Sequence, residues 1–175
     1  MPLRIVSRNA LDTQRLGEQV GHLLQAGDIV CLFGELGSGK TVLTKGIARG
    51  LGVAQERAVR SPSFVLMHRY QGRVPVYHAD LYRLDGPTDI ADIGLREFLG
   101  GDGVAVIEWA DKLEASLPAE RLDITIAHQT EETRVIRLIP QGVRYRRRFE
   151  RWQSQPTACG EDRDPQGGET GMASA

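Results

Sequence analysis

A five-residue apolar run, residues 29–33, leads directly into Gly34, Glu35, Leu36, Gly37, Ser38, Gly39, Lys40 and Thr41. Those eight residues match G-x-x-x-x-G-K-[ST] in full, between a buried strand and a helical pattern over residues 42–51. From the composition, 20 Gly, three Lys and 16 Ser plus Thr in 175 residues, a chance match is roughly 2 × 10⁻⁵ per position. Gly34 and Gly39 admit backbone dihedrals that turn N–H groups toward phosphate oxygens, with Leu36, Gly37 and Ser38 between them in the cradle. Lys40 is placed to reach the β and γ phosphates, and Thr41 Oγ1 to hold Mg2+. The helix N-terminus adds its dipole to the anion site. This segment predicts a nucleoside triphosphate site.

Strands and helices alternate around the loop. Residues 3–6 read as a short strand, and apolar residues recur at helical spacing over 11–25. The helix over 42–51 has its stop at Gly52. Residues 64–70 and 74–81 read as strands around a turn at Gln71, Gly72 and Arg73. Residues 88–99 read as a helix and 104–107 as an all-apolar strand. Residues 122–127 and 134–139 alternate apolar with polar and suggest a hairpin. The expected fold is α/β: a P-loop NTPase three-layer sandwich, with a mixed, mostly parallel central sheet and an antiparallel edge hairpin.

The nucleotide domain is expected over residues 1–142. Residues 143–152 form a basic segment, with Arg144, Arg146, Arg147, Arg148 and Arg151 interleaved with aromatics. Its simplest reading is a solvated last turn, and the alternative is a contact for RNA or a partner. Residues 153–175 are dominated by Gly, Pro, Glu, Asp, Ser and Thr, a composition expected to be disordered.

Two carboxylates sit where a phosphate-loop enzyme needs one, at the tips of apolar strands: Asp80 and Glu108. One would hold Mg2+ and the other would position water or a switch segment. His78 reads as a structural hydrogen-bonder. Trp109 fits either a core position or a nucleotide sensor. Arg83, Arg96 and Arg121 could serve a kinase acceptor site but do not cluster, so a small P-loop kinase is the alternative to an ATPase.

The lysine count narrows the base. Lysine occurs only at Lys40, Lys45 and Lys112, and all other cations are Arg. Neither Lys45, inside the loop helix, nor Lys112 stands in the Asn/Thr-Lys-x-Asp element of guanine-specific proteins, so ATP is favoured. The longest apolar run is too short to span a bilayer, and no secretory signal is legible. Cys31 and Cys159 show neither disulfide-framework nor zinc spacing. A cytoplasmic setting without membrane contact is expected.

Four motifs then occur in order: the loop at 34–41, Ser61, Pro62, Ser63 and Phe64, His78, Ala79, Asp80, Leu81, Tyr82 and Arg83, and Ile107, Glu108 and Trp109. Together, over about residues 3–140, they resemble the TsaE (YjeE) family, the ATPase of bacterial tRNA threonylcarbamoyladenosine biosynthesis. Ser63 stands where the family commonly has threonine, and Ala79 where an aromatic usually precedes the Asp. The resemblance implies Thr41 and Glu108 as Mg2+ ligands and Asp80 as catalytic or switch acid. It makes Trp109 necessary and Ser61 and Ser63 part of a switch-like segment. It puts the adenine pocket around residues 10–13 and 131–134. It also implies ATP hydrolysis while docked on a TsaB–TsaD pair that modifies N6 of adenosine 37 in tRNAs reading ANN codons. No arginine finger is assignable in cis, so slow turnover alone and stimulation by partners are expected. The formal net charge of -1 suggests that tRNA is reached through those partners.

Overall fold

A computed structural model of the chain describes residues 2–54, 59–62, 66–84 and 99–153. In chain order these form β1 (Leu3–Ser7), α1 (Ala10–Leu23), β2 (Ile29–Phe33), α2 (Lys40–Gly50), β3 (Met67–Gln71) and β4 (Pro75–Asp80). There follow β5 (Val104–Glu108), a 3-10 helix (Ala110–Ser116), β6 (Arg121–His128), β7 (Arg134–Gln141) and α3 (Gly142–Gln153). One seven-stranded sheet has the order β1-β7-β6-β2-β5-β4-β3. The central strands β6, β2, β5 and β4 run parallel. β3 joins antiparallel at one edge, and β7 and β1 at the other. The mixed α/β sheet thus forms with the antiparallel hairpin β6–β7 on one side, as expected.

The apolar runs are explained by two-sided burial. On β2, Val30 and Leu32 join Val104, Val106, Leu122 and Ile124 in the cluster beneath α1, α2 and α3. Ile29 and Cys31 join Ala105 and Ile107 on the other face, against the 3-10 helix residues Ala110 and Leu113. A strand with helices on both faces has no position left for a polar side chain. Burial pushes the Cys31 thiol up to about 12, so it behaves as a small hydrophobe.

Two glycine pairs set how α1 crosses α2. A Cβ on Gly17 would run into the Leu43 carbonyl and stand 3.0 Å from Gly46 Cα. One on Gly21 would meet the Ile47 carbonyl and stand 2.9 Å from Gly50 Cα. Backbone therefore packs on backbone, at a four-residue spacing matched on both helices. Arg73, in the β3–β4 turn, then holds both helix ends. It donates to Gly50 O at 2.5 Å, Gly21 O at 2.8 Å and Leu24 O at 2.5 Å, carbonyls at the carboxyl ends of the two helices.

α1 begins at Asn9, whose Oδ1 accepts from Asp12 N at 2.8 Å, while Asp12 Oδ2 accepts from Arg8 N at 3.1 Å. This is a reciprocal cap.

The basic segment differs from its simplest reading. It forms α3, and Tyr145, Phe149 and Trp152 are buried in the core cluster. Their spacing of four and three residues puts the rings on one helical face. Tyr145 OH accepts from Ile29 N at 2.7 Å, so the helix also satisfies the first N–H of β2. In the sequence the five arginines around these rings mask that periodicity. β3 begins at Met67, three residues later than expected. Residues 63–65, most of the expected helix at 88–99, and residues 154–175 lie outside the described residues.

The glycine crossing yields a prediction opposite in sign to helix propensity. Propensity alone would make Gly46→Ala stabilising by about 1 kcal/mol. Because the added methyl meets the Gln14 carbonyl, the variant should instead lose about 1–3 kcal/mol. Urea unfolding measures this, and a gain in stability would contradict the packing.

Candidate nucleotide site

The loop leaves the carboxyl end of β2 and enters α2 through three left-handed glycines. Gly34 has φ 148°, Gly37 φ 76° and Gly39 φ 111°. At Gly34 a side chain has no room, since its Cβ would press on the Ile126 carbonyl and lie 2.8 Å from Ser38 Oγ. Gly39 is the N-cap of α2 and provides no side-chain cap, so the first-turn N–H groups remain directed at the loop's hollow. Ser38 Oγ is buried and has no partner among the described residues. Leu36 stands exposed at the tip, which leaves its main chain as the part that can join a cradle.

Lys40 is buried, with Nζ donating to Gly34 O at 2.7 Å and Glu35 O at 2.8 Å. It also lies 3.9 Å from the Trp109 ring centroid, a cation–π distance. Burial lowers its pKa from the ordinary lysine value, and the carboxylates of Glu108, Asp80 and Asp111 act against that shift.

Glu108 and Asp80 end the neighbouring parallel strands β5 and β4 as a register pair, on the same sheet edge as the loop. Both are buried. Glu108 Oε2 accepts from Thr41 Oγ1 at 3.0 Å. Its Oε1 pairs with His78 Nε2 at 2.8 Å and lies 3.3 Å from Thr44 Oγ1, whose one hydrogen is shared with the nearer Lys40 O at 3.0 Å. A carboxylate only accepts, so Nε2 is the ring nitrogen that carries the hydrogen. His78 Nδ1 is buried without a partner among the described residues. Asp80 Oδ2 accepts from Ser61 Oγ, and its Oδ1 from Tyr82 N at 2.9 Å.

Trp109 follows Glu108 with φ 59°, an unfavourable backbone for a bulky residue. The twist lays its ring between Lys40 and Tyr82, whose ring centroid is 5.0 Å away. Lys112 Nζ donates to Tyr82 O at 2.7 Å and Leu84 O at 2.5 Å, pinning the chain after Asp80 to the 3-10 helix. On the other side of the loop, Arg134 Nε donates to Ser38 O at 3.2 Å. Thr13 Cγ2 lies 4.0 Å from where a Gly39 Cβ would stand.

The structure therefore brings Lys40, Thr41, Asp80, Glu108, Trp109 and Ser61 to one edge. Ser63 lies outside the described residues. The segments at 10–13 and 131–134 flank the loop through Thr13 and Arg134. Sequence reasoning gave Thr44, Tyr82 and Lys112 no role at the site. Thr44 was discoverable, because its three-residue spacing from Thr41 puts both on one helical face. The hold of Lys112 on two distant carbonyls has no sequence signature.

Among the described residues, no cluster of three or more His, Cys, Asp or Glu could hold a metal alone. Thr41 Oγ1 and Glu108 Oε2 nevertheless suit Mg2+, which takes few protein oxygens and completes its octahedron with phosphate and water.

The molecule is thus a mixed α/β protein with a glycine-rich lysine loop and two buried carboxylates at the carboxyl edge of a parallel sheet. The family model for "Threonylcarbamoyl adenosine biosynthesis protein TsaE" matches residues 7–136. The chain belongs to the TsaE family. A Treponema pallidum protein named tRNA threonylcarbamoyladenosine biosynthesis protein TsaE is 45% identical over 124 residues, covering 71% of this chain and 90% of that protein. A Bacillus subtilis protein of the same name is 39% identical over 138 residues, covering 78% and 85%. The crystal structure of Bacillus subtilis YdiB superposes with a TM-score of 0.72 at 32% identity, covering 87% of this chain and 95% of YdiB.

The Lys40–Trp109 contact predicts an optical signal. The second tryptophan, Trp152, is on α3 and buried against the core. In a Trp152→Phe variant, ATP should change Trp109 emission as Lys40 shifts toward phosphate. Titration with ATP measures this, and unchanged emission at saturating ATP would contradict a role for the contact.

Proposed function

We propose that this chain is a Mg2+-dependent ATPase of tRNA threonylcarbamoyladenosine biosynthesis, built as a P-loop three-layer domain and acting with a TsaB–TsaD-like pair. The carrying observation is the 3.0 Å pairing of Thr41 Oγ1 with Glu108 Oε2 beside the Lys40 loop. It supports a metal position at the mouth of a phosphate cradle. Bound there, Mg2+ would neutralise charge on the β and γ phosphate oxygens.

The chain's own groups then divide the work. Loop N–H groups and Lys40 hold the phosphates, Lys40 by exchanging its two loop carbonyls for phosphate oxygens. Thr41 and Glu108 hold the metal. Asp80, tied to Ser61, orients the attacking water or couples it to the switch-like segment at 61–64. Trp109 backs Lys40. Residues 10–13 and 131–134 flank the adenine. The positions of Lys45 and Lys112 favour ATP over GTP. Without an assignable arginine finger, turnover is slow alone and rises with partners, by a factor of up to about 10³–10⁵ if they supply one. tRNA is the substrate of the assembled complex, and the setting is cytoplasmic. Among the described residues no helix is long and apolar enough to cross a membrane.

Lys40→Ala should abolish ATP binding and phosphate release together; retention of either would reject the site. Depleting the protein in cells should remove threonylcarbamoyladenosine from tRNA, read by nucleoside mass spectrometry. Unchanged modification would reject the pathway while leaving the ATP site standing.

His78 should orient Glu108. His78→Leu should raise the Mg2+ concentration needed for half-maximal activity by about tenfold, the usual cost of losing a partner behind a metal ligand. His78→Gln, which keeps a donor, should recover most of it. Equal Mg2+ dependence in both variants would show that His78 only fills space.

A further inference from the structure

We propose that the exposed face of α3 docks the phosphate backbone of RNA. The helix carries Arg144, Arg146, Arg147, Arg148 and Arg151 against one acid, Glu150. At 3.6 residues per turn, Arg147, Arg151, Arg144 and Arg148 form one row along it, Arg146 lies on the far flank of the exposed face, and Glu150 falls between Arg146 and Arg147. Tyr145, Phe149 and Trp152 take the arc between Arg148 and Arg146, buried in the core.

The base of the row is anchored. Arg148 pairs with Asp28 Oδ2, and Arg144 lies 3.1 Å from Asp28 Oδ1 and 3.6 Å from Glu120 Oε2. Asp28 is fully buried, so those pairs hold the helix to the body of the protein. The remaining cations are differently placed. Arg146, Arg147 and Arg151 are exposed, and among the described residues none makes a hydrogen bond or an ion pair. Like charges three and four residues apart destabilise a helix. A row held in that state by buried aromatics is set against a polyanion, whose phosphates accept guanidinium forks bidentately.

RNA is the polyanion favoured, because the chain belongs to a family named for a tRNA modification. The position suits a docking role separate from nucleotide binding. Asp28 and the Tyr145–Ile29 bond place α3 at the amino end of β2, whereas the phosphate loop leaves its carboxyl end. Five residues of strand separate the two, about 17 Å. The whole-chain net charge of -1 conceals this row, since it averages a local field over the entire surface.

The test uses the full chain and an unmodified tRNA transcript, with affinity read by fluorescence anisotropy from about 50 to 200 mM salt. Wild type should bind with a steep salt dependence. The triple variant Arg146→Gln, Arg147→Gln, Arg151→Gln should bind at least tenfold more weakly at low salt. Its slope of log affinity on log salt should be smaller by about 2–3, near the sum for three lost phosphate contacts. Its melting temperature and ATP affinity should match wild type. The proposal is overturned if the variant keeps the wild-type affinity and slope. It is equally overturned if wild type binds no tRNA, or binds polyglutamate in its place. ATP affinity in the same samples separates this outcome from the fate of the nucleotide site.

Discussion

Three side chains from two elements converge on one buried carboxylate. Glu108 receives Thr41 and Thr44 from α2 and His78 from β4, at 3.0, 3.3 and 2.8 Å. A buried carboxylate without partners would cost several kcal/mol. With Thr41 and His78 donating and Thr44 sharing its hydrogen with Lys40 O, it becomes a tie between the loop helix and the tips of the central strands. The position of Lys40 follows from that tie, since Lys40 precedes Thr41 on the first turn of α2. The same carboxylate that anchors the loop helix is the one proposed to meet a metal, so local stability and proposed chemistry draw on the same atoms.

The rest of the fold keeps that turn where it is. The glycine pairs let α1 lie against α2 at backbone distance. Arg73 locks the far ends of both helices, and α3 braces the amino end of β2. On the rim, Trp109 adopts a backbone that large residues avoid, and Tyr82 and Lys112 hold the adjoining chain in place. Strain of this kind, of order 1–3 kcal/mol, persists where surrounding contacts over-determine a residue.

What could be read in advance depended on how local each signal was. The loop, the buried strands and the strand-tip acids are written in runs of four to eight residues, so β2, β5, Lys40, Thr41 and Glu108 were legible. The hairpin of β6 and β7 was legible from its alternation. The α1–α2 crossing was not, because a glycine at four-residue spacing also fits a loose helix and acquires its meaning only from the facing pair. α3 was misread for a related reason: five arginines mask three aromatics unless the helical period is applied to the rings alone. Arg73, Thr44 and Lys112 act on groups far away in sequence, where no pattern within one chain shows the partner.

The central claim is that Glu108 and Thr41 form a metal position at the mouth of a phosphate cradle. Calorimetry of ATP binding to Glu108→Gln, with Mg2+ and with the metal chelated, tests it most directly. Glutamine keeps the shape and an acceptor oxygen but loses the charge. The variant should bind metal-free ATP like wild type and lose the added affinity that Mg2+ confers. An undiminished Mg2+ increment would contradict the account.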